Sequence, residues 1–390
     1  MRPTEPGKIY RVAVLVDTST GWGRRLIQGI TNYAHKQGDW RLWVEPASRS
    51  DATHLPAAWR GDGVIARVVG TPMARRLRAT RKPVVNVSGI RLPGFEFPRV
   101  TTNYRASAKL AAEHFIERGF AHFAYVGPFN LSYVVECRDA YAAVLAETGR
   151  TCEPYNYRPG ASSRTAWQRG LTKLGEWLRQ LPKPVAVLTW GTTTGVYVLE
   201  ACSQQHLAVP DEVAVLGGDD DVLLCEAARP PLSGIQVASE QIGYTAAERL
   251  HRLMRGETLQ KRSVTIDPIV VATRQSTDVL ALGDPDLIHA VAYMRENACL
   301  PITVDDILQK VPVSRRSLER LFRQAFGRTP GEELRRLRMA RCRDLLARTD
   351  LSIPEVAKSC GFATGEHLAT LFKREHGVTP LKYRTRVRAR

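Results

Sequence analysis

Two stretches in the last quarter of the chain repeat one pattern: ITVDDILQKVPVSRRSLERLFRQAF, Ile302 to Phe326, and LSIPEVAKSCGFATGEHLATLFKREHG, Leu351 to Gly377. Each reads as a short helix, a turn, and a second helix whose apolar residues recur every three or four positions. That face is Leu318, Leu321, Phe322 and Phe326 in the first stretch and Leu368, Leu371 and Phe372 in the second. A one-sided helix must bury its apolar stripe, so the pattern demands an all-α domain built from two helix-turn-helix units. Ser314 falls where an N-cap belongs, because its hydroxyl can accept an otherwise unpaired amide of the following helix. Gly361 supplies a turn without Cβ strain in the second unit. The second helix of each unit turns a polar face outward, and the B-DNA major groove is wide enough to admit it.

Charge points the same way. Residues 285–390 hold 21 Lys and Arg against 12 Asp and Glu, a net +9 out of +17 for the whole 390-residue chain. Basic charge is therefore densest where phosphate neutralisation would require it.

The segment from Ile302 to Arg384 resembles the AraC/XylS-type DNA-binding domain. Its second unit carries the stretch G-F-x-x-x-x-x-L-x-x-x-F-K-R-x-x-G-x-T-P-x-x-Y-R, Gly361 to Arg384, which fixes eleven positions at set spacing. The resemblance implies reading helices over Ser314–Phe326 and Thr364–Arg374. Their DNA-facing positions would be Ser314, Arg315, Arg316, Ser317, Arg320 and Arg323, and Thr364, Gly365, Glu366, Thr370, Lys373 and Arg374. Arginine can grip guanine O6 and N7 with two bonds, and glutamate can accept from cytosine N4. Arg323, Lys373 and Arg374 are expected to anchor phosphates rather than read bases. Thr370 departs from the arginine common at that family position. A linking helix over Gly331–Thr349, buried along Leu334, Leu337, Ala340 or Arg341 and Leu345, would hold the readers roughly 34 Å apart, one turn of DNA, with its arginines left to solvent or phosphate.

Ahead of it, from Ile9 to about Thr277, apolar runs alternate with helical stretches. VAVLVD, RLWVE, GVIARVV, PVVNVS, FAYVG, VAVLTW and VAVLGG read as buried strands. Helices are expected at Arg24–Lys36, Tyr104–Arg118, Ser163–Gln180, Thr193–Gln205 and Glu240–Met254. Alternation of this kind means parallel sheets with helices on both faces, and there is room for two α/β lobes, each a doubly wound parallel sheet, around a cleft.

Three stretches carry a second resemblance: GWGRRLIQGI, PDEVAVLGGDDD and RPPLSGIQVASEQIGYTAAERL. They are similar to the LacI-type, periplasmic-binding-protein-like sensor. The resemblance implies a ligand-sensing and dimerisation domain over residues 1–276, a linker at 277–286 and the DNA-binding domain at 287–390. Chain crossings between lobes would fall near Gly119, Gln236 and Thr258. A LacI-type sensor ahead of an AraC-type reader is the arrangement of the xylose-operon regulator family, and it implies a regulator of a carbohydrate-use operon, an activator, with a sugar-like effector between the lobes.

Sugar sites of that family use carboxylates, an arginine and aromatic faces. Asp219 and Asp220 stand where the acidic residue belongs, and Asn103 follows a strand end. Three other positions differ: Thr102 and Thr192 replace aspartates, and Cys137 replaces an arginine, with Arg138 one step away. Each lost charged bond is worth roughly 1.5–3 kcal/mol, so xylose itself is discounted. Trp22 and Trp190, with Phe129 and Tyr133, could supply stacking faces or simply pack in the core.

No signal-peptide core and no apolar run of membrane length is present, so a cytoplasmic protein is expected. The seven cysteines show no C-x-x-C pair and no metal-ligand spacing. Cys202, Cys342 and Cys360 read as small core residues. Nucleophile-elbow, P-loop and dinucleotide fingerprints are absent, which speaks against an enzyme; no catalytic residue, metal or cofactor is expected. The expected partners are operator DNA, a small effector, a second copy of the chain and, for an activator, RNA polymerase. A front domain that has lost its sugar and only dimerises stays open as the alternative.

Overall fold

The computed structural model describes residues 9–45, 55, 59–157, 164–279, 281 and 284–388. Ser163, the expected start of one helix, and parts of the 277–286 linker lie outside them. The chain forms two compact units, Met1–Phe115 with Ala121–Val279, and Ile116–Phe120 with Leu280–Arg390.

The first unit opens with β1 (Tyr10–Leu15), α1 (Gly21–Gln37), β2 (Trp40–Val44), β3 (Gly63–Ala66), α2 (Thr71–Ala79), β4 (Val84–Asn86), β5 (Arg99–Thr102) and α3 (Tyr104–Ile116). It continues with β6 (His122–Gly127), α4 (Ser132–Ala146), β7 (Cys152–Asn156), α5 (Arg164–Gln180), β8 (Val185–Thr189) and α6 (Thr192–Gln204). Then come β9 (Val213–Gly217), α7 (Val222–Ala227), β10 (Ser233–Gln236), α8 (Ser239–Met254), β11 (Ser263–Ile266) and β12 (Val270–Ala272). Two six-stranded sheets result, in the orders β11-β5-β4-β3-β1-β2 and β12-β10-β9-β8-β6-β7. All pairings are parallel except β10 with β12. Strands β3, β8 and β9 are buried at every residue, which is why they read as unbroken apolar runs.

Helices α1 and α8 cover the same face of the first sheet and cross almost backbone to backbone. A Cβ on Gly29 would meet the Glu240 carbonyl oxygen at 1.8 Å, and one on Gly243 the Leu26 carbonyl oxygen at 2.0 Å. The chain passes between lobes between α3 and β6, between β10 and α8, and between β11 and β12. The third crossing is thus at Ile266–Val270, not near Thr258. Residues 263–266 still pair with β5 of the first sheet, Ser263 with Arg99 through Ile266 with Thr102.

The second unit contains α9 (Pro285–Asn297), α10 (Val304–Leu308), α11 (Arg315–Phe326), α12 (Pro330–Arg348), α13 (Ile353–Ser359), α14 (Gly365–His376) and α15 (Pro380–Arg388). Capping boxes start α10, α12 and α13 at Thr303/Asp306, Thr329/Glu332 and Ser352/Glu355. Two separate cores form. One gathers Leu287, Met294, Ile307, Leu318, Phe322 and Phe326; the other Cys342, Leu346, Val356, Leu368 and Phe372.

The linking helix departs from the single face expected of it. Leu334 and Leu337 of α12 pack into the first core, whereas Met339, Cys342, Leu345 and Leu346 pack into the second. Because it serves two cores, its apolar side changes direction midway. Nor are all its arginines left to solvent or phosphate. Arg338 donates to the carbonyls of Ala298, Leu300 and Ile302 at 2.8, 2.8 and 2.9 Å, and Arg336 pairs with buried Glu333. Gly361 has φ 74°, and a Cβ there would also meet the Ala298 carbonyl oxygen at 2.8 Å. Among the described residues no helix is long and apolar enough to cross a membrane.

Candidate nucleic-acid interface and inter-lobe cleft

Helices α11 and α14 are built on one frame displaced by fifty residues. Ser314 accepts the amide of Ser317 at 3.2 Å, and Thr364 that of His367 at 3.1 Å. Gly327 and Gly377 close the two helices with left-handed φ of 70° and 71°. Leu318 and Phe322, and their counterparts Leu368 and Phe372, are fully buried. This leaves one long face of each helix exposed, and the sequence-derived reading positions lie on or beside it.

On α11, Arg315, Arg316, Arg320 and Arg323 are exposed, with Ser317 half-buried at the helix start. Arg315 pairs with Asp305 of the preceding helix, which holds its guanidinium beside the turn. Arg320 Nη1 donates to Gln324 Oε1 at 3.1 Å. A shallow 410 Å³ groove is lined by Arg316, Glu319, Arg320, Arg323 and Gln324. Glu319 and Gln324 were not among the sequence-derived residues; their helical spacing from Arg316 and Arg320 is the signal that finds them.

On α14, Thr364, Glu366, Thr370, Lys373 and Arg374 are exposed and Gly365 is half-buried. His367, also exposed and missed at the sequence level, sets its ring edge-on to Phe362 at 5.9 Å.

In the cleft the carboxylates at the end of β9 are taken up by the protein itself. Asp219 Oδ1 accepts the Thr192 amide at 2.5 Å and the Thr192 hydroxyl at 2.6 Å, so it serves the N-terminus of α6. Thr192 is itself 2% exposed. Asp220, 2% exposed, pairs with Arg274 at 2.8 Å, and Gln236 Nε2 donates to it at 3.4 Å. Asp221, missed in the sequence, accepts the Gly21 amide at 2.7 Å across the lobes, while Arg25 of the first lobe donates to the Asp220 carbonyl at 2.8 Å. Arg91 with Glu136 at 2.9 Å, and Arg105 with Glu147 at 2.5 Å, join the lobes elsewhere.

The remaining sequence-derived cleft residues are dispersed. Asn103 accepts the Ala106 amide at 3.2 Å, capping α3, and donates to Asp267 at 2.9 Å at the third crossing. Thr102 closes β5. Trp22 packs on the first lobe's core with Arg67 6.0 Å from its ring. Trp190 stands edge-on to buried Tyr133 at 4.6 Å. Phe129 lies under Arg138 at 4.7 Å. Burial first, and then Glu136, pushes the Cys137 thiol well above its ordinary range, so it is a neutral, inert group. Cys202, Cys342 and Cys360 are fully buried. Among the described residues no cluster of three or more His, Cys, Asp or Glu side chains is set to hold a metal ion.

Family models match the chain in three consecutive pieces: a XylR N-terminal domain over residues 11–108, a periplasmic binding protein-like domain over 112–277, and a helix-turn-helix domain over 307–386. The xylose operon regulatory protein of Escherichia coli K12 is 30% identical over 97% of both chains. The chain belongs to the xylose operon regulator family. Another member, from Haemophilus influenzae, is 29% identical over 96% of this chain and 98% of its own. The solved structure of a xylose-binding transcription activator, xylR, covers 97% of this chain and 98% of that one, at 28% identity and a TM-score of 0.63. The family member described here is therefore a transcription regulator, with two parallel-sheet lobes in front and an AraC-type double helix-turn-helix domain behind.

Proposed function

We propose that this family member controls a carbohydrate-use operon as an activator, in the cytoplasm and as a dimer. It does so by placing α11 and α14 in successive major-groove segments of operator DNA, with RNA polymerase as its further partner. The carrying observation is the end-to-end match to xylose operon regulators, together with two exposed reading helices on one repeated frame. The effector is a sugar or polyol bound between the lobes. Since Asp219, Asp220 and Asp221 each already hold a protein partner, it draws on fewer charge-assisted bonds than a pentose held by free carboxylates. A ligand can bias the lobes only by its differential affinity for their two settings.

The test is thermal stabilisation of the full chain across xylose, other pentoses, hexoses, uronates and polyols. A binder at a hundred times its Kd stabilises by roughly 2.7 kcal/mol and raises Tm visibly. A shift with a compound other than xylose names the effector. A shift with xylose shows that Thr102, Cys137 and Thr192 do not exclude that sugar. No shift with any compound favours a second reading, in which the front unit only pairs two copies; the protein's own bonds between lobes, Gly21 to Asp221 and Arg91 to Glu136, support that reading.

A further inference from the structure

The first crossover between lobes packs with the DNA-reading unit. Residues 116–120, between the end of α3 and the start of β6, belong to the second compact unit. Within that unit Glu117 pairs with Arg336 Nη1 at 2.5 Å. The remaining nitrogens of Arg336 hold Glu333, Nε at 3.0 Å and Nη2 at 2.8 Å, and Arg328 Nε reaches the same carboxylate at 2.7 Å. Backbone ties flank the pair: Arg295 of α9 donates to the Glu117 carbonyl at 3.3 Å, and the Ala281 amide to the Arg118 carbonyl at 2.7 Å.

The cluster is costly to build without a role. Glu333 is 1% exposed and Glu117 16%, and desolvating charges opposes most of the attraction gained. Without the Glu117 charge Arg336 is still held by Glu333, but the desolvated group loses part of its neutralisation, so the arrangement resists sliding. Its position on α12 matters as much as its strength. Arg336 lies in the part of the helix where packing passes from the first core, at Leu337, to the second, at Met339. A pull on the crossover therefore acts on the helix that sets the distance between the two readers.

We propose that the Glu117–Arg336–Glu333–Arg328 cluster is the joint through which the setting of the two lobes reaches the spacing of α11 and α14. This rests on the regulator reading above, but its test does not need the effector. The probe is a DNA site selected from a random pool by the wild-type full chain, with Kd read by fluorescence anisotropy. Asp221→Ala removes the Gly21 bond between lobes and is expected to change that Kd by about fivefold or more, the lower end of ordinary coupling between sites. In a Glu117→Gln background, where the side chain keeps its shape and loses its charge, the same Asp221→Ala change is expected to do nothing measurable. Equal effects of Asp221→Ala in both backgrounds overturn the joint, and so does a wild-type Kd indifferent to Asp221→Ala. If Glu117→Gln unfolds the second unit, Glu117→Asp keeps the charge on a shorter arm and is expected to halve the coupling or better; full coupling in that variant overturns the proposal. A sugar panel without any thermal shift sinks the effector reading while leaving the Asp221 arm to judge the joint.

Discussion

Helices α11 and α14 are each twelve residues long, each starts on a hydroxyl N-cap and each ends on a left-handed glycine, yet their exposed faces have little in common. On α11 four arginines stand against the single Glu319, whereas on α14 Lys373 and Arg374 are balanced by Glu366 and Glu375. Position by position, Arg316 faces Glu366, Glu319 faces Ala369 and Arg320 faces Thr370 across the fifty-residue offset. On the proposed reading, phosphate attraction is expected to be concentrated on α11, with α14 depending on hydrogen bonding and fit. The frame that positions a reading helix is thus independent of what it reads, since buried leucines and phenylalanines fix the pose while the outward positions stay free to vary.

The comparison breaks most visibly in the cores. Phe322→Ala and Phe372→Ala each remove a fully buried ring and are expected to cost about 3–5 kcal/mol, read by denaturant unfolding. Similar losses mean that the two cores are equivalent; a loss at one site under 1 kcal/mol means that the frame is not shared. Arg316→Ala and Glu366→Ala come next. Each is expected to relax preference at its own base pair by about 1–3 kcal/mol, measured by selection from randomised DNA. Arg323→Ala is expected instead to weaken all sequences alike and lower the salt slope by about 1. Uniform weakening by Arg316→Ala would make it a phosphate anchor too. Ser314→Ala and Thr364→Ala remove matching caps and are expected to cost about 1 kcal/mol each, in thermal melts.

The smallest effect concerns the residues facing the helix ends, Phe326 in the first core and His376 in the second. Burial, then repulsion from Arg343, lowers the His376 pKa from 6.5 to about 4. The unfolded chain then binds the proton more readily than the folded one, so stability is complete above pH 6.5 and falls as pH drops toward 4. His376→Phe, which copies the first core, is expected to flatten that decline in melts taken between pH 7 and pH 4; an unchanged slope would assign the acid sensitivity to other groups.

Much of this was legible because local pattern and burial coincide. The uniformly buried β3, β8 and β9, and β1 apart from Arg11, announce themselves as apolar runs, and the paired motifs place α11 and α14 within a residue of their observed starts. Strands β7, β10, β11 and β12 did not show. In β7, CEPYN sits at a sheet edge where Pro154 is tolerated and nothing demands a β-branched run. Helix α12 misled because one periodicity cannot describe a helix that serves two cores. In the cleft, sequence supplied Asp219 and Asp220 but neither Asp221 nor any of their engagements: Gly21 and Asp221 lie 200 residues apart, and Asp220 and Arg274 54. Such partners follow from topology, which no local spacing encodes.

Arg338 and Gly361 bear on how small a fragment can read DNA by itself. The three carbonyls that Arg338 satisfies belong to residues 298–302, ahead of the first helix-turn-helix, and Gly361 lies against one of them. A fragment trimmed to begin at Thr303 strips a half-buried guanidinium of its acceptors and lays bare the apolar side of α10 and α11 where α9 had covered it. A fragment that keeps these acceptors and the cover of α9 therefore reaches back at least to Asp284, which caps α9, and still gives up the Glu117 partner of Arg336.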